Sequence, residues 1–169
     1  APDFDRASDF DRGVAIVMVD GEFGLIDTEG KFIQRPKFTY ISDFDQNGLA
    51  IVRYGNNNVY YGVMNMDGDV ITKKDFREIN AYKEGLAVVK YKDGYGYIDL
   101  ECKLVIPDEF SKASDFSEGY AAAQKNGDCG YIDRTGKVVV DMEYSKCLDF
   151  SGGRAVVYRG ARKAGLIDT

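Results

Sequence analysis

Apolar residues in this chain gather in short runs punctuated by turn formers, and none of the runs keeps a helical period. Val14 to Val19 is bounded by Gly13 on one side and Asp20-Gly21 on the other. Matching segments further on place Ala87 and Val89 on one face, while Leu86 and Lys90 show that the other face varies. Alternation with period two between turn signals predicts half-buried β-strands. The dipeptides Asp20-Gly21, Asp93-Gly94 and Asn126-Gly127 follow such runs and supply the positive φ of hairpin turns. A second strand, Gly24 to Asp27, leads into Asp27-Thr28-Glu29-Gly30, with Asp and Gly at the two ends of a type I turn. Lys137 to Val140 then reads as a third short strand. The stretches that remain, such as Pro107 to Asp115, suit a helical turn or an irregular crossover equally well.

The pattern repeats along the whole chain. Aromatic residues fall at Phe10, Phe44, Tyr82, Phe116 and Phe150, spaced by 34, 38, 34 and 34 residues, each with a second aromatic six residues earlier. Every anchor is followed by a glycine and then by Ala15, Ala50, Ala87, Ala121 or Ala155. A second glycine recurs at Gly24, Gly62, Gly96, Gly130 and Gly165, where the spacing implies that a side chain would strike a neighbouring strand or ring. The expected organisation is one all-β repeat domain over 1–169, with units at about 4–37, 38–75, 76–109, 110–143 and 144–169, the last incomplete, and three short strands in each. A unit of this size cannot bury its own face, so neighbours must stack. An open β-solenoid or superhelical array is expected first, as a piece of a longer array, with a closed five-bladed propeller-like ring as the alternative.

Composition narrows the chemistry. The 169 residues contain no histidine and no tryptophan, so imidazole bases, Ser-His-Asp systems and the usual zinc sites are absent. A net charge of −6 opposes nucleic-acid phosphates, and no apolar run approaches the length needed to span a bilayer. Neither a cofactor nor a metal is expected. Cys102, Cys129 and Cys147 are odd in number and widely spread, which reads as three unpaired thiols and favours a cytoplasmic setting over an extracytoplasmic one.

The leading block Tyr82-Lys83-Glu84-Gly85-Leu86-Ala87-Val88-Val89 and the trailing block Gly130-Tyr131-Ile132-Asp133-Arg134-Thr135-Gly136-Lys137 resemble the bacterial WG (KWG) repeat family. The likeness covers the whole chain. It departs from the family at the residue before the glycine, where Trp is replaced by Phe23, Tyr61, Tyr95, Cys129 and Ala164, and at a turn glycine, replaced by Cys102. The resemblance implies a β-rich repeat scaffold without established chemistry.

Candidate functional residues are weighed against structural roles. The series Asp27, Asn65, Asp99, Asp133 and Asp168 is read as capping its own turns rather than as calcium ligands. Tyr91, Tyr95, Tyr97, Tyr120 and Tyr131 offer rings for a sugar or a protein partner, or packing between units. The length anomaly of the second unit points to Tyr54, Asn56, Asn57, Asn58 and Tyr60 as the binding site, because insertions in repeat arrays gather on one face. The expected function is therefore a non-catalytic scaffold for protein–protein interaction. Alternatives are a carbohydrate or cell-wall binding module, suggested by Tyr95-Gly96-Tyr97-Ile98-Asp99, and a hydrolase built on two carboxylates.

Overall fold

A computed structural model describes residues 3–55, 57–73, 75–160 and 163–168. Every regular element in it is a β-strand, and the strands fall into five small antiparallel sheets, one per repeat. Backbone contacts divide the chain into two compact units, Ala1–Arg77 and Glu78–Thr169. The first unit holds β1 (Arg6–Ala7), β2 (Val14–Val19), β3 (Glu22–Asp27) and β4 (Phe32–Phe38) in one sheet, and β5 (Tyr40–Ile41), β6 (Leu49–Tyr54) and β7 (Tyr60–Asn65) in the other. In the second unit, β8 (Glu78–Ile79), β9 (Ala87–Tyr91), β10 (Gly94–Ile98) and β11 (Leu104–Phe110) form one sheet. The next sheet contains β12 (Lys112–Ala113), β13 (Tyr120–Lys125), β14 (Asp128–Asp133) and β15 (Val138–Tyr144). The last contains β16 (Lys146–Cys147), β17 (Arg154–Arg159) and β18 (Lys163–Asp168).

The stretch from Pro107 to Asp115 is extended, continuing β11 and forming β12. The expected hairpins form, and two of the three turns sit where the dipeptides place them: φ is +52° and +81° at Asp20 and Gly21, and +56° and +97° at Asn126 and Gly127. The third turn is one residue earlier than Asp93-Gly94. Its loop is Lys92-Asp93, Lys92 takes φ +54°, and Gly94 already pairs with Tyr91. Gly94 serves another purpose there, since a Cβ on it would lie 1.9 Å from the Asp108 carbonyl oxygen.

The recurring second-strand glycines have the same explanation. In each four-stranded sheet the last strand pairs in one register with the glycine-bearing strand, the second of the hairpin: Phe23 with Phe38 and Leu25 with Gln34, Tyr95 with Phe110 and Tyr97 with Ile106, Cys129 with Tyr144 and Tyr131 with Val140. A bulge lies between the two pairs in each sheet, and it carries the fourth-strand backbone over Gly24, Gly96 or Gly130. A Cβ there would meet a carbonyl oxygen at 2.5, 2.5 and 2.2 Å, closer than real contacts permit. The obstacle is backbone of the bulged strand, not an aromatic ring. In the second repeat the fourth strand is reduced to isolated bridges, Tyr61 with Phe76 and Met64 with Val70, and side chains of Thr72 and Val70 crowd Gly62 instead.

Each sheet buries a face against the next within its unit. Leu25, Phe38, Ile41, Ala50 and Met64 join the first two sheets, with Phe44 packed on them. Tyr97, Phe110, Phe116, Ala121 and Ile132 join the third and fourth, and Ala122, Tyr131, Phe150, Ala155 and Val157 the fourth and fifth. The anchor aromatic of one repeat thus sits on the second strand of the repeat before it: Phe116 meets Tyr97 and Phe150 meets Tyr131, both edge-on with centroids 4.9 Å apart. Polar latches follow the same step. Glu84 accepts from the Gly119 amide at 3.0 Å, and Glu118 accepts from the amides of Gly152 and Gly153, each at 2.8 Å. In the first unit Arg12 donates to the Asp45 carbonyl at 2.8 Å.

Asp27, Asp99 and Asp133 accept amide hydrogen bonds from Lys31, Lys103 and Lys137 four residues on, and Asn65 does the same for Asp69. These side chains cap their own turns. Cys102 occupies the turn-glycine position with φ +57° and is buried, and burial is the main cause that pushes its thiol pKa up. The reading of three unpaired thiols is overturned at the other two positions: Cys129 and Cys147 are joined by a disulfide between β14 and β16. Their separation of 18 residues gave no sign of it, because the pairing depends on stacking of the fourth sheet on the fifth.

Candidate functional site

The inserted residues of the second repeat replace a tight turn with a wider connection. Tyr54, at the end of β6, still pairs with Tyr60, at the start of β7, so the insertion is confined to the loop between them. Gly55 takes φ +93°, and a Cβ on it would lie 2.0 Å from the Asn58 carbonyl oxygen, which makes glycine obligatory at the loop entrance. Asn57, Asn58 and Val59 are exposed on the loop. Asn56 lies outside the described residues.

Below the loop the rings converge. Tyr54 and Tyr60 have centroids 6.4 Å apart, Tyr54 meets Phe38 edge-on at 6.3 Å, and the Lys37 ammonium stands 5.1 Å from the Phe38 ring centroid. Lys37, Phe38, Tyr54 and Val70 line a cavity of about 300 Å³. The Tyr54 hydroxyl donates to a carboxylate oxygen of Asp75. Desolvation first, then Asp75, raises the Tyr54 pKa, so the ring presents a neutral phenol over the ordinary pH range. The site can therefore seat an apolar or aromatic group beside one cation and one carboxylate.

Of the five site residues read from the sequence, the structure brings Tyr54 and Tyr60 together and leaves Asn57 and Asn58 on the exposed loop. It adds Lys37, Phe38, Val70 and Asp75. The signal for Phe38 was present in its repeat position, and Val70 matches Val138 of the expected third short strand, but Asp75 lies in the stretch whose conformation the sequence left open. The proposed tyrosine face also changes. Tyr97 and Tyr131 are fully buried under the anchors of the following repeats, which removes them as stacking platforms, whereas Tyr91, Tyr95 and Tyr120 are only partly covered.

Two further grooves open in the second unit at equivalent steps. One, of about 270 Å³, is lined by Glu78, Asn80, Val88, Tyr95, Lys112 and Ala113. Glu78 accepts there from Lys90 at 3.0 Å and from the Tyr95 hydroxyl at 2.9 Å. The Lys90 ammonium holds the Glu78 carboxyl below its usual pKa, and Glu78 in turn raises that of Lys90. The next groove, of about 260 Å³, has the Cys129–Cys147 bridge in its wall, with Lys112, Ser114, Gln124, Ser145 and Lys146 around it. Among the described residues no cluster of acidic or cysteine side chains is arranged to hold a metal ion, and no helix is long and apolar enough to cross a membrane.

A family model described as WG containing repeat matches residues 1–22, 23–57, 61–94, 95–128 and 130–160. A search of curated proteins returns no match. Among solved structures the chain is similar to Kluyveromyces lactis Hsv2, at 11% identity and TM-score 0.52, over 94% of this chain and 57% of that one. It is also similar to Hsv2 of Kluyveromyces marxianus, at 10% identity and TM-score 0.51, over 86% and 51%. A third likeness is to a structure described as the eukaryotic initiation factor, at 12% identity and TM-score 0.53, over 96% and 51%. These likenesses concern the fold alone, and the chain spans just over half the length of each of those solved chains.

Proposed function

Since the chain belongs to the WG-containing repeat family, we propose that it is a non-catalytic repeat scaffold that binds another protein. The observation that carries this reading is the division of labour within the repeat. Residues constant from unit to unit, namely the anchors, the alanines and the second-strand glycines, serve packing and close approach, whereas the open grooves are lined mainly by residues that differ between units, the recurring aromatic Phe38 being the exception. The recurring Asp and Asn side chains are occupied in capping turns, which supports a chain without a carboxylate reaction centre.

The second-repeat pocket is the favoured contact. Phe38, Tyr54 and Tyr60 provide aromatic area, Lys37 and Asp75 provide polarity at the rim, and aromatic residues in partly desolvated pockets dominate protein interfaces. The disulfide supports work in an oxidising compartment. The test is proximity cross-linking in the source cell with the wild-type chain and with Tyr54→Ala/Tyr60→Ala, alongside a polysaccharide array. Loss of a defined protein partner in the double variant supports the reading. An unchanged set of cross-links removes the site, and array binding that depends on the same two tyrosines replaces a protein partner with a glycan.

A further inference from the structure

The step from the fourth sheet to the fifth carries a covalent link that the same step one repeat earlier does without. Cys129 and Cys147 occupy the template positions of Tyr95 and Ala113, which pack on one core cluster with no bond between them. Other contacts hold the fourth and fifth sheets together. Phe150 sits on Tyr131, the Tyr131 hydroxyl donates to the Leu148 carbonyl at 2.6 Å, the Ser117 hydroxyl donates to the Phe150 carbonyl at 2.8 Å, and Glu118 accepts from the amides of Gly152 and Gly153. The step is therefore closed by packing and hydrogen bonds that outlast an open bridge.

The bridge is also reachable. It stands in the wall of the groove of about 260 Å³, where Cys129 is 6% exposed and Cys147 is only partly covered. Residues directly opposite in antiparallel strands share a face, so Glu78, Lys90 and Tyr95 form one row across the third sheet, and Lys112, Gln124 and Cys129 the equivalent row across the fourth. Where the third sheet has a carboxylate, the fourth thus has an ammonium in the row of Cys129. Lys112 has no ion-pair partner among the described residues, and no Asp or Glu lines the groove. The second lining ammonium, Lys146, stands 5.7 Å from the Tyr158 ring centroid instead. A cation beside a sulfur stabilises its thiolate, and a stabilised thiolate is the faster leaving group in disulfide exchange.

We propose that Cys129–Cys147 is a thiol–disulfide exchange site, reduced through the groove by a dithiol while the second unit stays folded. A thiolate of the dithiol attacks Sγ of Cys147, the more accessible of the pair. The new sulfur–sulfur bond forms as the Cys147–Cys129 bond breaks, and the electron pair leaves on Cys129 Sγ, which Lys112 stabilises. The second thiolate of the reductant then attacks its own sulfur in the mixed disulfide and releases Cys147. The dithiol ends as a disulfide, and its two protons pass to Cys129 and Cys147. Reduction unclamps β16 from the fourth sheet, so the groove between them is gated by redox state. This inference is independent of the protein-binding reading, since it does not use the second-repeat pocket.

The experiment treats the oxidised full chain, without denaturant, with excess dithiothreitol, quenching by alkylation at intervals and counting labels by mass spectrometry. Labels are expected to appear together at Cys129 and Cys147 with the circular dichroism spectrum retained. Hydrogen exchange is expected to quicken at the Ser145 and Leu148 amides, which flank β16, and to stay as it was at Gly152 and Gly153. Lys112→Glu is expected to slow reduction about tenfold by reversing the charge beside the leaving thiolate, and Lys112→Arg to leave it unchanged. Should Lys112→Glu fail to fold, Lys112→Gln replaces it, with a smaller slowing expected. Glutathione, which has one thiol, is expected to be trapped on Cys147. A bridge reduced only in denaturant, loss of the folded spectrum on reduction, an unchanged rate in both Lys112→Glu and Lys112→Gln, or glutathione trapped on Cys129 overturns the proposal.

Discussion

The hydroxyl of Tyr131 donates to the carbonyl of Leu148 at 2.6 Å, across the step from the fourth sheet to the fifth. Tyr97 makes the same bond to Ser114 at 2.8 Å one repeat earlier, with the same separation of 17 residues. In each case the ring is buried under an anchor phenylalanine and its phenol donates to a backbone carbonyl of the following repeat, which satisfies the buried hydroxyl. Tyr131→Phe keeps the ring packing and removes the donor. It is expected to cost about 1 kcal/mol, read as a lower urea midpoint with unchanged slope, and a midpoint equal to wild type refutes the role of the bond.

The same tyrosine makes stability depend on pH in the alkaline range. Desolvation, with Asp149 adding to it, raises the Tyr131 pKa to about 12, while an unfolded tyrosine titrates near ~10. The folded state then holds the proton more tightly than the unfolded state. Its contribution is complete below pH ~10 and is lost as pH rises towards about 12. Urea midpoints measured from pH 8 to pH 12 are expected to fall across that window, and to fall less in Tyr131→Phe. A midpoint that rises, or a slope identical in the variant, contradicts the assignment.

Equivalent glycines are expected to respond oppositely to one substitution. Gly130→Ala drives a Cβ to 2.2 Å from the Val140 carbonyl oxygen and is expected to destabilise by about 3 kcal/mol as the fourth strand is displaced. Gly165→Ala meets only Val157 at 3.7 Å and is expected to be neutral or stabilising by a few tenths of a kcal/mol, roughly the gain from reduced freedom in the unfolded chain. Thermal melts of the two variants side by side decide this, and equal losses would show that the glycines act through something other than the bulge.

Glu118 is a latch between neighbouring repeats, taking two backbone amides of the turn that precedes β17. Glu118→Ala leaves those amides to water and is expected to lower stability by about 1 kcal/mol. Hydrogen exchange should quicken at Gly152 and Gly153 while amides of β9 and β10 are unaffected. Uniform quickening across the second unit would mean a global effect instead.

Reduction of Cys129–Cys147 is expected to cost ~3 kcal/mol, the loop-closure value for a span of this order. Thiol titration of the denatured protein checks the premise directly. One thiol, that of Cys102, is expected without reductant and three with it. Three thiols from protein purified under oxidising conditions would be the contrary result.

How much of this was legible beforehand depends on how local each interaction is. Strand periodicity, hairpin turns and Asp caps involve residues a few positions apart, so Val14 to Val19, Asp20-Gly21 and Asp27 announced themselves in the sequence. The five-fold period also exposed the anchors and glycines, since a repeated residue type marks a repeated environment. Asp93-Gly94 misled by one residue because Gly94 is selected by the approach of Asp108 from another strand. The insertion in the second repeat located Tyr54 and Tyr60, but Phe38 reaches that site from β4 of the first sheet, and Val70 and Asp75 from the segment after β7, whose paths only the tertiary structure sets.

By itself, then, the sequence determined the period, the all-β character, the turn chemistry and the positions where packing admits a single residue type. The tertiary structure decided what each repeated position meets. Residues alike in type are buried or open according to the neighbour they are given: Tyr131 lies beneath Phe150, Tyr91 stays partly open at a strand end, and Cys129 lies beside Cys147. The physical reason is that stacking energy and crosslinks belong to pairs of repeats, and a template read one unit at a time carries no record of its partner.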